Sequence, residues 1–204
     1  MAFVGLRKPF IGKRTDKKTY EEPFLFGKAI GVTINPSYAE GSLNADDEQA
    51  EYDKEFLYAD ITLNTNTIPL EGHEVMFGHE VTEKNVKFNK DDQANEVGIG
   101  WVSVEKVDGK RSFVGNFLYK AKFSEPSNEY ATKGESIEYK TPSISGRASA
   151  DEDGDWKEFE ICESEEAAIA WILSMFGAET EAATVAEEPE AVEPEADPVA
   201  SEEV

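Results

Sequence analysis

Residues 97–123 read VGIGWVSVEKVDGKRSFVGNFLYKAKF. In the second half, Phe113, Phe117, Tyr119, Ala121 and Phe123 fall on one side of a two-residue period, and Ser112, Asn116, Lys120 and Lys122 on the other. That is strand periodicity, with one face set for a core. Val97, Ile99 and Trp101 open a second strand in the same way, and Asp108-Gly109 between the two is a strong hairpin signal. The stretch therefore predicts a long antiparallel hairpin at the centre of a sheet protein.

The same rhythm continues outward. Leu57, Ala59, Ile61 and Leu63 alternate with Tyr58, Asp60, Thr62 and Asn64, and KAIGVTI (28–34) and ESIEYKTPSIS (135–145) add strand candidates. Two helices interrupt the strands. Pro69, LEGHEVMF and Gly78 give a short helix with its start and stop residues. Ser164 caps a second, in which Glu165 and Glu166 suit the positive end of the dipole and Ile169, Ile172, Leu173 and Phe176 form one apolar stripe before Gly177. The fold class expected is mainly β, sandwich or barrel-like and mostly antiparallel, with one or two flanking α-helices.

At 204 residues the chain fits one domain with a real core. After Gly177 the composition breaks: residues 178–204 carry ten acidic side chains, no basic ones, no aromatics and three prolines. Such a segment buries too little apolar surface to offset its backbone entropy, so the domain is expected over 1–177 with a disordered acidic tail over 178–204. The net charge of -23 argues against gripping a nucleic-acid backbone, which requires Lys and Arg to displace phosphate counterions. One cysteine, Cys162, allows no intrachain disulfide and no thiolate cluster. Neither a signal peptide nor a membrane-spanning run is legible, so a soluble protein made in a cytoplasm is expected.

Residues 37–56, SYAEGSLNADDEQAEYDKEF, read as a long acidic loop between early strands, open to three roles: cation site, disordered surface loop, or contact arm ordered against another subunit. The two histidines, His73 and His79, stand six apart, whereas a zinc-protease helix needs HExxH, and Phe77 holds the required place. Ser149, Asp151, Asp153, Gly154 and Glu160 fall at EF-hand loop positions one, three, five, six and twelve, which makes Asp151, Asp153 and Glu160 the metal candidates. Ser in place of the first carboxylate and a non-helical flank turn the reading toward an ordinary Asp-Gly turn. Without a nucleophile elbow, P-loop or oriented Cys–His couple, no catalytic site and no cofactor are expected.

MAFVGLRKP (1–9), residues 37–56, IPLEGHEVMFGH (68–79), VDGKRSFVGNFLYKAKF (107–123) and IEYKTPSISGRA (137–148) resemble, in that order, the major tail protein of long-tailed siphophages, the tail-tube subunit. The likeness runs over about residues 1–162. It implies a β-sandwich with a flanking helix, six copies of which join in rings that stack into a tube for genome passage, in the tail of a virion made in the bacterial host. It implies no catalysis and no cofactor. Its partners would be further copies, together with tape-measure, tail-terminator and distal tail proteins, and DNA would pass an acidic lumen unbound. The long loop and a terminal arm, about residues 1–22, would make the contacts between subunits and rings. Tyr38, Leu43, Tyr52 and Phe56 supply the apolar anchors for such an interface, as interface cores favour aromatics. The alternative reading is a calcium-dependent β-sandwich surface or adhesion module.

Overall fold

The computed structural model describes residues 2–45, 48–107, 110–128, 132 and 141–178, without the side chains of 2–4, 43–45, 48–51 and 107. The predicted tail beyond Ala178, the Asp108-Gly109 turn and residues 135–140 of a predicted strand fall outside these residues. In chain order the elements are β1 (Ala2–Asp16), β2 (Thr19–Tyr20), β3 (Phe24–Leu25), β4 (Ala29–Ala45), β5 (Glu48–Thr65), α1 (Leu70–Phe77), β6 (Glu80–Thr82), β7 (Asn85–Lys87), β8 (Val97–Val107), β9 (Lys110–Phe123), β10 (Ser143–Ala148), β11 (Lys157–Cys162) and α2 (Glu165–Met175). The fold is mainly β, as the alternation predicts. One open antiparallel sheet runs β2-β1-β8-β9-β10-β5-β4, with β11 on β9 and β3 on β1, while β6 and β7 form a separate hairpin.

The β8–β9 hairpin is the axis. Val107 lies opposite Lys110, the register of a two-residue connection. Both faces of the hairpin are buried. On one, Ile11, Ala59, Ile61, Leu63, Ile99, Trp101, Leu118, Phe123 and Ile144 share a core with Met76 and Phe77 of α1. Side chains from β1 and from β5 meet in that core, so the sheet folds over on itself, and the expected sandwich is one continuous curled sheet. On the other face, Val102, Phe117 and Tyr119 pack with Tyr20 and with Ala168, Ile172 and Phe176 around α2.

The sequence reading of a single apolar face from Phe113 to Phe123 is corrected here. Val97 pairs with Ala121 but Ile99 with Leu118, so Tyr119 and Lys120 together stand opposite one residue of β8. This β-bulge reverses the alternation. Phe113, Phe117 and Tyr119 face α2, whereas Ala121 and Phe123 enter the other core. At the same point β9 changes partner: β11 pairs with Phe113–Leu118 and β10 with Ala121–Phe123. Asn116, assigned to a polar face, is buried and donates to Ser103 Oγ at 3.0 Å.

A second bulge corrects the β5 face. Ser37 pairs with Tyr58 and Tyr38 with Phe56, which leaves Leu57 as the extra residue. Ala59, Ile61 and Leu63 are buried, Leu57 is 50% exposed, and Phe56 takes the inward place against the core. Residues 2–16, part of the expected terminal arm, form β1, paired along β8 from Ala2↔Lys106 to Lys13↔Val97.

The helices follow their sequence signals. Gly78 closes α1 at φ 73, the left-handed conformation glycine adopts without strain. Ser164 Oγ accepts from Ala167 N at 3.1 Å to cap α2. The seat of α2 on the sheet is made by two glycines. A Cβ at Gly115 would lie 2.6 Å from Trp171 Cε3 and 3.2 Å from the Ala168 carbonyl, and one at Gly100 2.4 Å from Ile172 Cγ2. Gly115→Val is therefore expected to lift α2 and destabilise the fold by about 1–3 kcal/mol, the usual cost of overpacking, seen as a lower urea midpoint with β-sheet circular dichroism retained.

Candidate functional site

The segment read as an acidic loop is a β-ribbon. Pairing of β4 with β5 continues from Ala29↔Thr65 to Ala45↔Glu48, so residues 37–45 and 48–56 are strand. The sequence signal was hidden because charged residues occupy both sides of the alternation, and periodicity detects only a strand with one buried face. β10 covers β5 only from Ala59 to Asn64. From Tyr58 to the tip the ribbon runs without a further strand beside it among the described residues. At about 3.3 Å per residue, the eight steps from Ser37 to Ala45 carry it roughly 25 Å.

The ribbon has two faces, since directly paired residues share one. The first joins Tyr38 to Phe56, Glu40 to Lys54 and Ser42 to Tyr52. Phe56 stacks on Trp156 at 4.7 Å, and Tyr38 meets Phe56 edge-on at 6.0 Å. Lys54 lies 4.4 Å above the Tyr38 ring and 2.8 Å from Glu40, whose carboxyl this hydrogen bond holds below the ordinary range. Arg147 covers the Tyr58 ring at 3.7 Å and bonds Asp60 at 3.0 Å. Of the four predicted anchors, Tyr38 and Tyr52 are exposed at 40% and 55%. Phe56 is a hinge post that fastens the ribbon to its own domain. The Leu43 backbone pairs with Glu51, and its side chain lies outside the described residues. The second face carries Asp53 and Glu55 opposite Gly41 and Ala39.

The Asp-rich segment is a tight turn. Asp151 Oδ1 accepts from the backbone N–H of Asp153 and of Asp155, both at 2.9 Å, and Gly154 turns at φ 91. Its buried Oδ2 lies 3.5 Å from Lys18 Nζ, which also reaches Asp155 at 2.8 Å and Asp153 at 3.5 Å. Lys17 pairs with Asp153 at 2.6 Å. Glu160 sits apart in β11, exposed and paired through its backbone with Gly115. Arg14, its side chain 6% exposed, joins Glu96 at 3.1 Å and also contacts Glu152. Sequence reading missed this clasp, although KRTDKK and DEDGD carry complementary charge.

His73 and His79 do come together, with ring centroids 5.8 Å apart. His79 Nδ1 is 2.7 Å from Asp92 Oδ2, its buried Nε2 is 3.9 Å from Glu125, and Phe77 and Phe88 close round both rings. Burial pushes the His73 imidazole below its ordinary pKa of 6.5, and His79 adds to the shift. Among the described residues no three metal-ligating side chains converge, and no helix is long and apolar enough to cross a membrane.

No protein-family model matches the chain, and no curated protein matches it. Among solved structures it is similar to the anti-feeding prophage cap, described as a tube-terminating cap and determined by cryo-electron microscopy. The TM-score is 0.35 and the identity 13%, over 78% of this chain and 92% of that one.

Two outcomes are expected. A histidine whose folded pKa is depressed binds its proton more readily in the unfolded chain, so its contribution to stability is intact above pH 6.5 and is lost as pH falls below it. Melting temperatures compared between pH 7.5 and 5.5 should therefore drop more in the parent than in His73→Gln. Asp151→Ala strands two turn amides while Lys18 keeps Asp155 and Asp153, at an expected cost of about 1–3 kcal/mol in urea denaturation, and added calcium leaves the parent's melting temperature unchanged.

Proposed function

We propose that this chain is a structural subunit of a siphophage tail, assembling into hexameric rings that stack as the tail tube, with no enzymatic activity and no cofactor. The observation that carries the reading is the β4–β5 ribbon, which leaves its own sheet while still displaying Tyr38 and Tyr52. A monomer gains nothing from so long an unsupported ribbon, but an assembly gains buried aromatic area. The residues that resemble the tail-tube family point the same way.

The sheet edges add support. Among the described residues β4 ends the sheet on one side, and β11 pairs with β9 alone and leaves its other edge open, with Phe159 and Ile161 61% and 58% exposed. Two different open edges on one chain make a head-to-tail contact, which closes into a ring when the rotation allows. An acidic lumen would repel the passing polyanion where Lys or Arg would hold it by counterion release. Tape-measure, terminator and distal tail proteins would meet the ends of such a tube. The Asp151 turn gives the adhesion alternative no support, since the ammonium of Lys18 already lies among its carboxylates.

Negative-stain microscopy of the purified chain is expected to show rings or tubes, and chains dispersed at every concentration would defeat the reading. Phe159→Ser with Ile161→Ser should leave the monomer's melting temperature within a few degrees of the parent and abolish assembly, because both side chains are exposed in one chain. Removal of residues 178–204 should leave folding and assembly intact, since that segment has no aromatic residue to contribute packing.

A further inference from the structure

The end of the β8–β9 hairpin carries three exposed cations, Lys106 paired across the strands with Arg111, and Lys110 beside them. Like charges directly opposite each other are unfavourable in a sheet. In a chain with 43 acidic and 20 basic residues, none of the three has a carboxylate partner among the described residues. On the ribbon the converse holds. Lys54 serves Glu40, while Asp53 and Glu55 form no ion pair among the described residues and stand opposite Gly41 and Ala39, too small to screen them. We propose that the acidic face of one chain's ribbon docks on the basic hairpin end of a second copy beside it, a contact within a layer of the assembly and not between layers.

The side-by-side direction follows from topology. β5 and β9 are both antiparallel to β10, hence parallel to each other, and they are level where Ile61, Gly146 and Phe123 align. Glu48 and Lys110 each lie thirteen residues before that level. The acidic ribbon and the basic end therefore project from the same pole. Within one chain β11 is interposed, occupying that edge of β9 from Phe113 to Leu118. Stacking end to end would set this pole against the opposite one. Copies arranged by rotation about a common axis place the far end of one ribbon at the height of the cations of the next, with Asp53 and Glu55 five and seven residues behind Glu48 on the same arm, and the complementary charges also speed and orient the encounter.

The inference rests on the self-assembly proposed above and is tested separately from it. Two charge reversals, Asp53→Lys with Glu55→Lys and Lys106→Glu with Lys110→Glu and Arg111→Glu, are each expected to raise the concentration needed for half-association by roughly tenfold or more in low salt. Sedimentation should then show monomers. An equimolar mixture of the two should associate again, because each reversed ribbon finds a reversed hairpin end. Mixed Glu48→Cys and Lys110→Cys chains, whose substituted positions lie at the same level, should form a disulfide-linked dimer under mild oxidant. Reversed variants that assemble like the parent, variants that form separate unstacked rings, a mixture that stays monomeric, or no cross-link would each overturn the contact. A cross-link without rings or tubes would instead keep the contact and remove the tube.

Discussion

The fold depends on burying both faces of β9. A strand in a curled antiparallel sheet ordinarily presents one face to a core and one to water, and the polar alternation then does half the work of holding register. β9 lacks that help, because Phe117 and Leu118 are both fully buried on opposite sides. Register is set instead by the bulge at Tyr119 and Lys120, whose backbone bonds tie down the neighbours: Tyr119 N–H donates to the Trp156 carbonyl at 3.3 Å, and Ser149 N–H to that of Lys120 at 3.0 Å. One extra residue thus lets a single strand serve two cores, the curled sheet around Leu118 and the α2 layer around Phe117. The Tyr20 hydroxyl closes the arrangement by donating to the Tyr119 carbonyl at 2.8 Å, and burial raises its own pKa to about 12.

Electrostatics are arranged around the same frame. The clasp of Lys17, Lys18 and Arg14 on the turn at 151–155 joins the end of β1 to the approach to β11, the two strands on either side of the β8–β9 hairpin. Most of its ion pairs are exposed and contribute little singly. Asp151 differs, because its side chain is wholly buried and organises the turn through two backbone amides. On the ribbon, Asp53 and Glu55 keep their charge outside any ion pair among the described residues.

Much of the architecture was legible in the sequence. The hairpin at 97–123, the strands near 28–34 and 57–63, and both helices with their caps stand where alternation and capping residues place them. What escaped was set by features that single-residue periodicity does not encode. A bulge at Tyr119–Lys120 or at Leu57 leaves no composition signal, yet it moves every later side chain to the other face. The ribbon over 37–45 and 48–56 was hidden by its own charge, since a strand without a continuous apolar face looks like a loop. Of the site, Tyr38, Tyr52 and the Asp151 turn could be named beforehand. The stacking of Phe56 on Trp156 could not, because it joins residues a hundred positions apart.

The pairing of β1 with β8 has a consequence for synthesis. Ala2 finds its partner in Lys106 and Lys13 in Val97, so this strand has no mate on its main edge until about a hundred further residues have been made. At about 5–20 residues per second that interval is roughly 5 to 20 s. Throughout it Leu6 lacks its neighbour on β8, while Phe10 and Ile11 can already pair with Leu25 and Phe24 of β3. Arg7, Lys8, Lys13 and Arg14, spread along the same strand, keep it strongly cationic for that time, and like-charged strands resist pairing with one another. In the finished fold Arg14 enters the clasp, Arg7 pairs with Glu165 and Lys13 with Glu21.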